Sequence, residues 1–177
     1  MKITKCRLCN DRKILPLFSL GQMSFTGKFA KRIKENIPKK DLTLVICKNC
    51  KLVKLDQNFN PKYLYWKDYG YRTGLNSTMT DHVKSIALEA QKLSKIKKGD
   101  FVLDIASNDG TMLNYYKKDL ITVGIDPILS KFKNFYKKIN YKIEDFFSLA
   151  ALKKKNLNKK YKIISALSVF YDLRDPN

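Results

Sequence analysis

Apolar side chains recur at helical spacing between residues 78 and 97: Met79, Val83, Ile86, Ala90 and Leu93 lie four, three, four and three positions apart. Thr78 stands where a cap is expected and Asp81 falls in the first turn, so the pattern predicts a helix that the glycine of "KKGD" (97–100) ends. Then the period changes. "FVLDIA" (101–106) is a continuous apolar run broken by Asp104, as in a buried parallel strand that ends in an acid. "SNDG" (107–110) reads as a tight turn, "TMLNYYKK" (111–118) as the start of a helix, and "ITVGID" (121–126) as a strand closed by Asp126. Further on the pattern predicts a helix at 128–138, a short strand at 141–146, a helical stretch at 148–156 and a strong strand, "YKIISAL", at 161–167. Before residue 60 the turn-rich apolar stretch "LPLFSLGQMSFTGKF" (15–29) precedes one predicted strand, "DLTLVIC" (41–47).

Strand, tight loop, helix and strand with a terminal acid form the nucleotide-binding half of a Rossmann-like sheet, in which the second acid meets ribose hydroxyls. Asp126 follows Asp104 by 22 residues, as that reading requires. The glycine pattern is thin: Gly110 remains of a G-x-G-x-G loop, with Ala106 small enough for close backbone approach and Asn108 tolerant of left-handed angles. The alternative is an ordinary strand–helix–strand unit without a ligand. Four strands from Phe101 onward imply the spatial order 3-2-1-4.

The four cysteines, Cys6, Cys9, Cys47 and Cys50, form two C-x-x-C pairs with 37 residues, 10–46, between them. Two such knuckles suit a tetrahedral Zn²⁺ site, structural because four protein ligands leave no position open for water. Disulfides would suit a secreted protein, but "MKITKCRLCN" lacks the apolar stretch of an export signal. Redox pairs would open a helix within a strand–helix–strand pattern, which neither does.

The formal charge is +20, and it changes the picture little. The cations are 31 Lys and 5 Arg, and residues 1–60, 61–100 and 101–177 carry +10, +4 and +6. Arginine is the better residue for phosphate and base contacts, so a nucleic-acid partner is not expected. No run of 18 apolar residues exists, and a soluble cytoplasmic protein is the expectation.

Taken in order, "CRLC", "CKNC", "YGYRTGLNSTM", "VLDIASNDGT", "GIDP" and "SALSVFYDLRDP" resemble the sugar C-methyltransferases of deoxysugar pathways. That resemblance implies S-adenosylmethionine as methyl donor, a nucleotide-linked keto-sugar as substrate and a monomer when full length. It implies zinc ligands at Cys6, Cys9, Cys47 and Cys50. It implies a cofactor loop of Asp104, Ser107, Asn108 and Gly110, with Asp126 on the ribose. Tyr69 and Tyr71 match the family's tyrosine segment, one of them acting at the sugar. A phenol can steady an enolate oxygen, and His82, the lone histidine, can move protons. Arg72 could meet a diphosphate oxygen. The chain departs from the family at Ala106, at Thr73 and at Tyr171-Asp172, where a histidine is usual; Asp172 is the candidate base there.

The expected organisation is a zinc-binding domain at 1–60, a connecting segment and helix at 61–98 and a partial methyltransferase domain at 99–177. The expected fold class is α/β, a small zinc domain followed by an incomplete Rossmann-like sheet of the class I methyltransferase kind, inactive by itself. The alternatives are a zinc-containing RNA methyltransferase, which a salt-dependent filter-binding assay would reveal, and a non-catalytic zinc-stabilised binding module.

Overall fold

Apolar residues on both sides of the second cysteine pair pull the N-terminal third into an antiparallel sheet. In the computed structural model, which describes residues 2–25, 30–60, 65 and 69–172, strands β1 (Ile14–Ser24), β2 (Lys39–Cys47) and β3 (Val53–Leu55) lie in that order. The segment read from the sequence as turn-rich is therefore largely a strand. Its partner decides this: β1 pairs with β2 from Ile14 opposite Cys47 to Ser24 opposite Lys39. Two register shifts, between Pro16 and Phe18 and between Ser19 and Gln22, absorb Pro16 and the positive φ of Gly21. An edge strand tolerates proline, and a bulge accepts the extra residue. Val45 and Cys47 of β2 are buried, whereas Leu15, Leu17, Phe18, Leu20 and Met23 of β1 are exposed.

The chain divides into two compact units, one of Met1–Gly70 with Phe170–Asn177 and one of Tyr71–Val169. In the second unit helix α1 (Ser77–Ser94) precedes strand β4 (Phe101–Ile105). Then come β5 (Ile121–Ile125), the short helix α2 (Leu129–Phe132), β6 (Tyr141–Ile143), α3 (Leu149–Lys154) and β7 (Ile163–Ser165). The four strands form a parallel sheet in the order β6-β5-β4-β7, which is the 3-2-1-4 order expected.

Alternation sorts the two faces of this sheet. Leu103, Val123, Ile125 and Ile143 pack with Ala151, Leu152 and Leu157 on one face, joined by Phe101, Ile105 and Tyr161. Val102, Asp104, Thr122 and Gly124 alternate with them. Helix α1 packs against the 3-10 turn Met112–Tyr115 and reaches β7. Its buried positions are Val83, Ala87 and Gln91, four residues apart, while Met79 and Leu93 of the expected stripe are exposed. Gln91 earns its burial through hydrogen bonds: its amide donates to Ala87 O (3.0 Å) and Tyr115 O (3.3 Å) and accepts from Lys117 N (3.1 Å).

Several elements are shorter than expected. Asn76, not Thr78, caps α1 by accepting from Met79 N at 3.1 Å, and Lys95 closes it in the left-handed conformation. The helix expected from Thr111 is only the 3-10 turn, and that expected at 128–138 is α2 followed by a 3-10 turn, Lys133–Phe135. Strands β6 and β7 are three residues each, because that is all the register with β5 and β4 pairs.

Candidate functional site

In the first unit the two cysteine turns are built alike. Asn10 N donates to Cys6 O and Lys51 N to Cys47 O, both at 3.0 Å. Cys6 N donates to Asp11 O (2.8 Å) and Cys47 N to Leu52 O (3.0 Å). Asn10 (φ 59°) and Lys51 (φ 64°) both turn the chain through the left-handed region. The four Sγ atoms consequently lie within 4.8 Å of one another, with Cys6–Cys50 and Cys9–Cys47 each at 3.6 Å. Tetrahedral Zn–S bonds of about 2.3 Å imply S–S edges of about 3.8 Å, so the spacing fits a four-thiolate zinc site. All four thiols are free.

The electrostatics of the cluster favour a cation. Burial raises the Cys6 thiol pKa, but hydrogen bonds from the Cys9 and Leu8 amides and from neighbouring thiols bring it down to about 7. At Cys50 the Leu52 amide favours the thiolate, yet burial and the three other cysteines push the pKa up to about 12. Four thiolates share this space only when a divalent ion balances them.

In the second unit β4 runs into a loop, residues 106–111, whose backbone enters the left-handed region at every second residue: Ala106 (φ 57°), Asn108 (φ 52°) and Gly110 (φ 74°). Ser107 N donates to Ile125 O (3.2 Å), Gly110 N to Ser107 O (2.8 Å) and Asn108 N to Asp126 Oδ2 (2.9 Å). Asp126 Oδ1 accepts from Ile128 N at 2.8 Å. Tyr136 is fully buried beneath the loop; its hydroxyl donates to Asn108 O (2.7 Å) and meets Ser107 Oγ at 2.8 Å. Two glycines make room for it. A Cβ on Gly110 would lie 2.6 Å from Ile139 Cδ1 and 3.1 Å from Tyr136 Cδ1, and one on Gly124 would lie 3.0 Å from Tyr136 Cε1.

The parallel register sets Asp104 between Gly124 and Ser165, and Ser165 Oγ donates to Asp104 Oδ1 at 2.5 Å. Burial pushes the Asp104 carboxyl up to about 7; the Ser165 bond opposes this and the charge of Asp126 adds to it. Burial likewise raises Asp126, against the hydrogen bonds from Ile128 and Asn108. The Tyr116 hydroxyl is buried with no hydrogen-bond partner among the described residues, and its pKa is raised by burial and by Asp104. An unmet buried donor fits a polar ligand group better than an apolar one.

The segment Tyr71–Gly74 is fastened to the same loop. Asn108 Nδ2 donates to Tyr71 O (3.1 Å), and Asn108 Oδ1 accepts from Thr73 N (2.9 Å). Asp109, with no exposed surface, accepts from Gly74 N at 2.9 Å and pairs with Arg72 Nη1 at 3.3 Å. Its other oxygen accepts from Thr111 N (3.1 Å) and Thr111 Oγ1 (2.6 Å). The Arg72 guanidinium also lies 4.2 Å from the centre of the Phe135 ring. Arg72 is thus engaged within the unit through Nη1 and the face of its guanidinium.

Residues 6–65 match the family Methyltransf_13, a zinc binding domain, and the match begins at Cys6 and contains all four cysteines. The first unit carries a methyltransferase-associated zinc-binding domain. No curated protein matches the chain.

The expected site residues fall into separate groups. Asp104, Ser107, Asn108, Gly110 and Asp126 gather at the carboxyl ends of β4 and β5, with Tyr71 tied to Asn108. His82 is exposed on α1, its imidazole without a hydrogen bond among the described residues. Tyr69 and Asp172 belong to the first unit. There the Tyr65 ring lies 5.7 Å from Tyr69, and the Tyr65 hydroxyl donates to Asp172 Oδ2 at 2.5 Å. Asp172 borders a cavity of about 410 Å³ lined also by Arg7, Lys54, Asn58, Phe59 and Tyr171. Residues 173–177, the end of the matching "SALSVFYDLRDP" and the chain's tail, lie outside the described residues. Asp109, Tyr136, Ser165 and Tyr65 were not singled out from the sequence. Asp109 carries a signal, an acid inside the loop with an arginine, Arg72, upstream of it; Tyr136 and Ser165 reach the site only through tertiary packing.

Proposed function

We propose that the chain belongs to an S-adenosylmethionine-dependent methyltransferase that methylates a carbon of a nucleotide-linked keto-deoxysugar, with its second unit a Rossmann-like cofactor domain. The observation that carries the cofactor half is the left-handed loop 106–111 at the carboxyl end of a central parallel strand, hydrogen-bonded to the acid that closes the next strand. Ligands of open parallel sheets bind at such a point. The methyltransferase-associated zinc-binding domain points the same way.

When bound, S-adenosylmethionine supplies an electrophilic methyl group. In this reading Asp126 accepts ribose hydroxyls with the lone pairs its two amide bonds leave open. Asp104 and Tyr116 meet the polar amino-acid end. Tyr71 holds the carbonyl oxygen of the sugar as a proton leaves the neighbouring carbon, and His82, on the same unit, takes that proton. The zinc ion holds the N-terminal module in shape and takes no part in the chemistry.

Calorimetry with S-adenosylmethionine tests the cofactor half. Asp126→Ala should weaken binding by roughly tenfold to a hundredfold, the loss of hydrogen bonds to a charged group. Equal affinity in wild type and variant would sink the ribose assignment. Saturation-transfer NMR with a nucleoside-diphosphate-linked keto-deoxysugar tests the substrate half; no transfer from the zinc-loaded chain would overturn it.

A further inference from the structure

The second unit contains a buried carboxylate that neither the metal nor the cofactor reading uses. Asp109 has no exposed surface and four hydrogen-bonding partners, two on each side of a seam. Oδ1 is bound to Thr111 within its own loop. Oδ2 is bound across the seam, to Gly74 N and to the Arg72 guanidinium. The neighbouring Asn108 side chain repeats the arrangement, gripping Thr73 N with its oxygen and Tyr71 O with its nitrogen. The fit leaves no slack: a Cβ on Gly74 would lie 2.6 Å from Thr111 Oγ1 and 2.8 Å from Asp109 Oδ2.

We propose that Asp109 is a positioning residue that latches the Tyr71–Gly74 segment onto the 106–111 loop, so that the placement of Tyr71 and the binding-ready shape of the loop are one equilibrium. The inference rests, for its ligand arm, on the cofactor reading above. A carboxylate suits the task because it accepts four bonds at once and its charge holds the guanidinium, which Phe135 backs from the other side. Leaving it half-satisfied is costly at this burial, so the segment and the loop open together or not at all.

Two variants separate the latch from a merely local role. Asp109→Asn keeps the shape but gives up the charge. Gly74→Ala leaves the charge of Asp109 in place and pries the segment away from the loop, its Cβ pressing on Thr111 Oγ1 and Asp109 Oδ2. In the latch, both variants weaken S-adenosylmethionine binding by about tenfold, and the double variant is little worse than either, because each breaks the same contact. A wild-type affinity in Gly74→Ala, beside a weakened Asp109→Asn, would show that Asp109 acts only within its loop and would overturn the latch. Hydrogen exchange reads the latch without any ligand. The Thr73 and Gly74 amides should be protected in the wild-type chain and lose that protection together with Asn108 and Thr111 in Asp109→Asn. Fast exchange of Thr73 and Gly74 in wild type, or exchange unmoved by Asp109→Asn, refutes it. If the wild-type chain binds no S-adenosylmethionine while the exchange result holds, the cofactor reading fails and the latch stands.

Discussion

Gly110→Ala should be the most damaging small substitution in the second unit, and the neighbouring geometry allows its cost to be divided. The residue adopts φ 74°, and an added Cβ would sit 2.6 Å from Ile139 Cδ1 and within 3.2 Å of two Tyr136 ring atoms. The left-handed conformation costs an alanine about 1–2 kcal/mol, offset by about 0.4–1 kcal/mol because alanine has less freedom to lose on folding. Overpacking against a buried wall adds about 1–3 kcal/mol. The total is about 1.5–4 kcal/mol, which for a unit of this size lowers the melting temperature on the order of 6–20 °C. Gly99 supplies the control: φ is 83°, yet nothing lies within 4 Å of the added Cβ. Gly99→Ala should therefore lose only about 0.5–1 kcal/mol, the backbone part alone. Thermal unfolding followed by circular dichroism measures both. Adding Ile139→Val, which deletes Cδ1, should recover part of the loss in the Gly110→Ala background while costing about 0.5–1.5 kcal/mol in wild type. Melting temperatures of Gly110→Ala and Gly99→Ala within about 2 °C of each other would show that the wall under the loop yields freely, and the packing argument would be wrong.

Two further outcomes follow from the sites. Metal analysis of reduced, folded protein should find one Zn²⁺ per chain, with chelation or Cys47→Ser abolishing the hydrogen-exchange protection of β1 and β2; less than about a tenth of an equivalent would refute the zinc assignment. Asp104 titrates at about 7 in the folded chain, above the ordinary carboxylate range. The folded state thus holds this proton more tightly than the unfolded one, and its contribution to stability is greatest below about pH 4 and is lost as pH rises towards about 7. Asp104→Asn should remove that slope, so the stability difference between variant and wild type should grow in the variant's favour from pH 4 to pH 8; a pH-independent difference would show that Asp104 ionises normally.

What the sequence disclosed was what repeats locally. The cysteine pairs named their metal chemistry because each knuckle is a complete local unit, and "FVLDIA" and "ITVGID" declared parallel strands because burial on both faces demands unbroken apolar runs. β1 was hidden because Pro16 and Gly21 are turn formers by propensity, and only pairing with β2 converts them into bulges. The α1 stripe was misplaced for a related reason: Gln91 is polar, and nothing local announces that the carbonyl of Tyr115 and the amide of Lys117 will satisfy it. Asp109 was passed over for the same cause, since its partners Arg72 and Gly74 stand 37 and 35 residues away. Short-range periodicity carries the strands; the polar groups that build the site are legible only once distant segments meet.

The matching of β1 to β2 has a consequence for how the N-terminal module avoids error. Ile14 stands opposite Cys47, so the first knuckle reaches the second only when the hairpin is aligned as found. With two bulges, an uncharged outer strand and mostly exposed side chains on β1, burial alone discriminates weakly between neighbouring alignments. A slip by one residue carries Cys47 about 3.4 Å along the strand, far beyond the tolerance of a tetrahedral thiolate site. A zinc ion held by the four cysteines would thus act as a proofreader: mispaired hairpins could not close around it, and the correct one would be sealed by the bonds that the others fail to make.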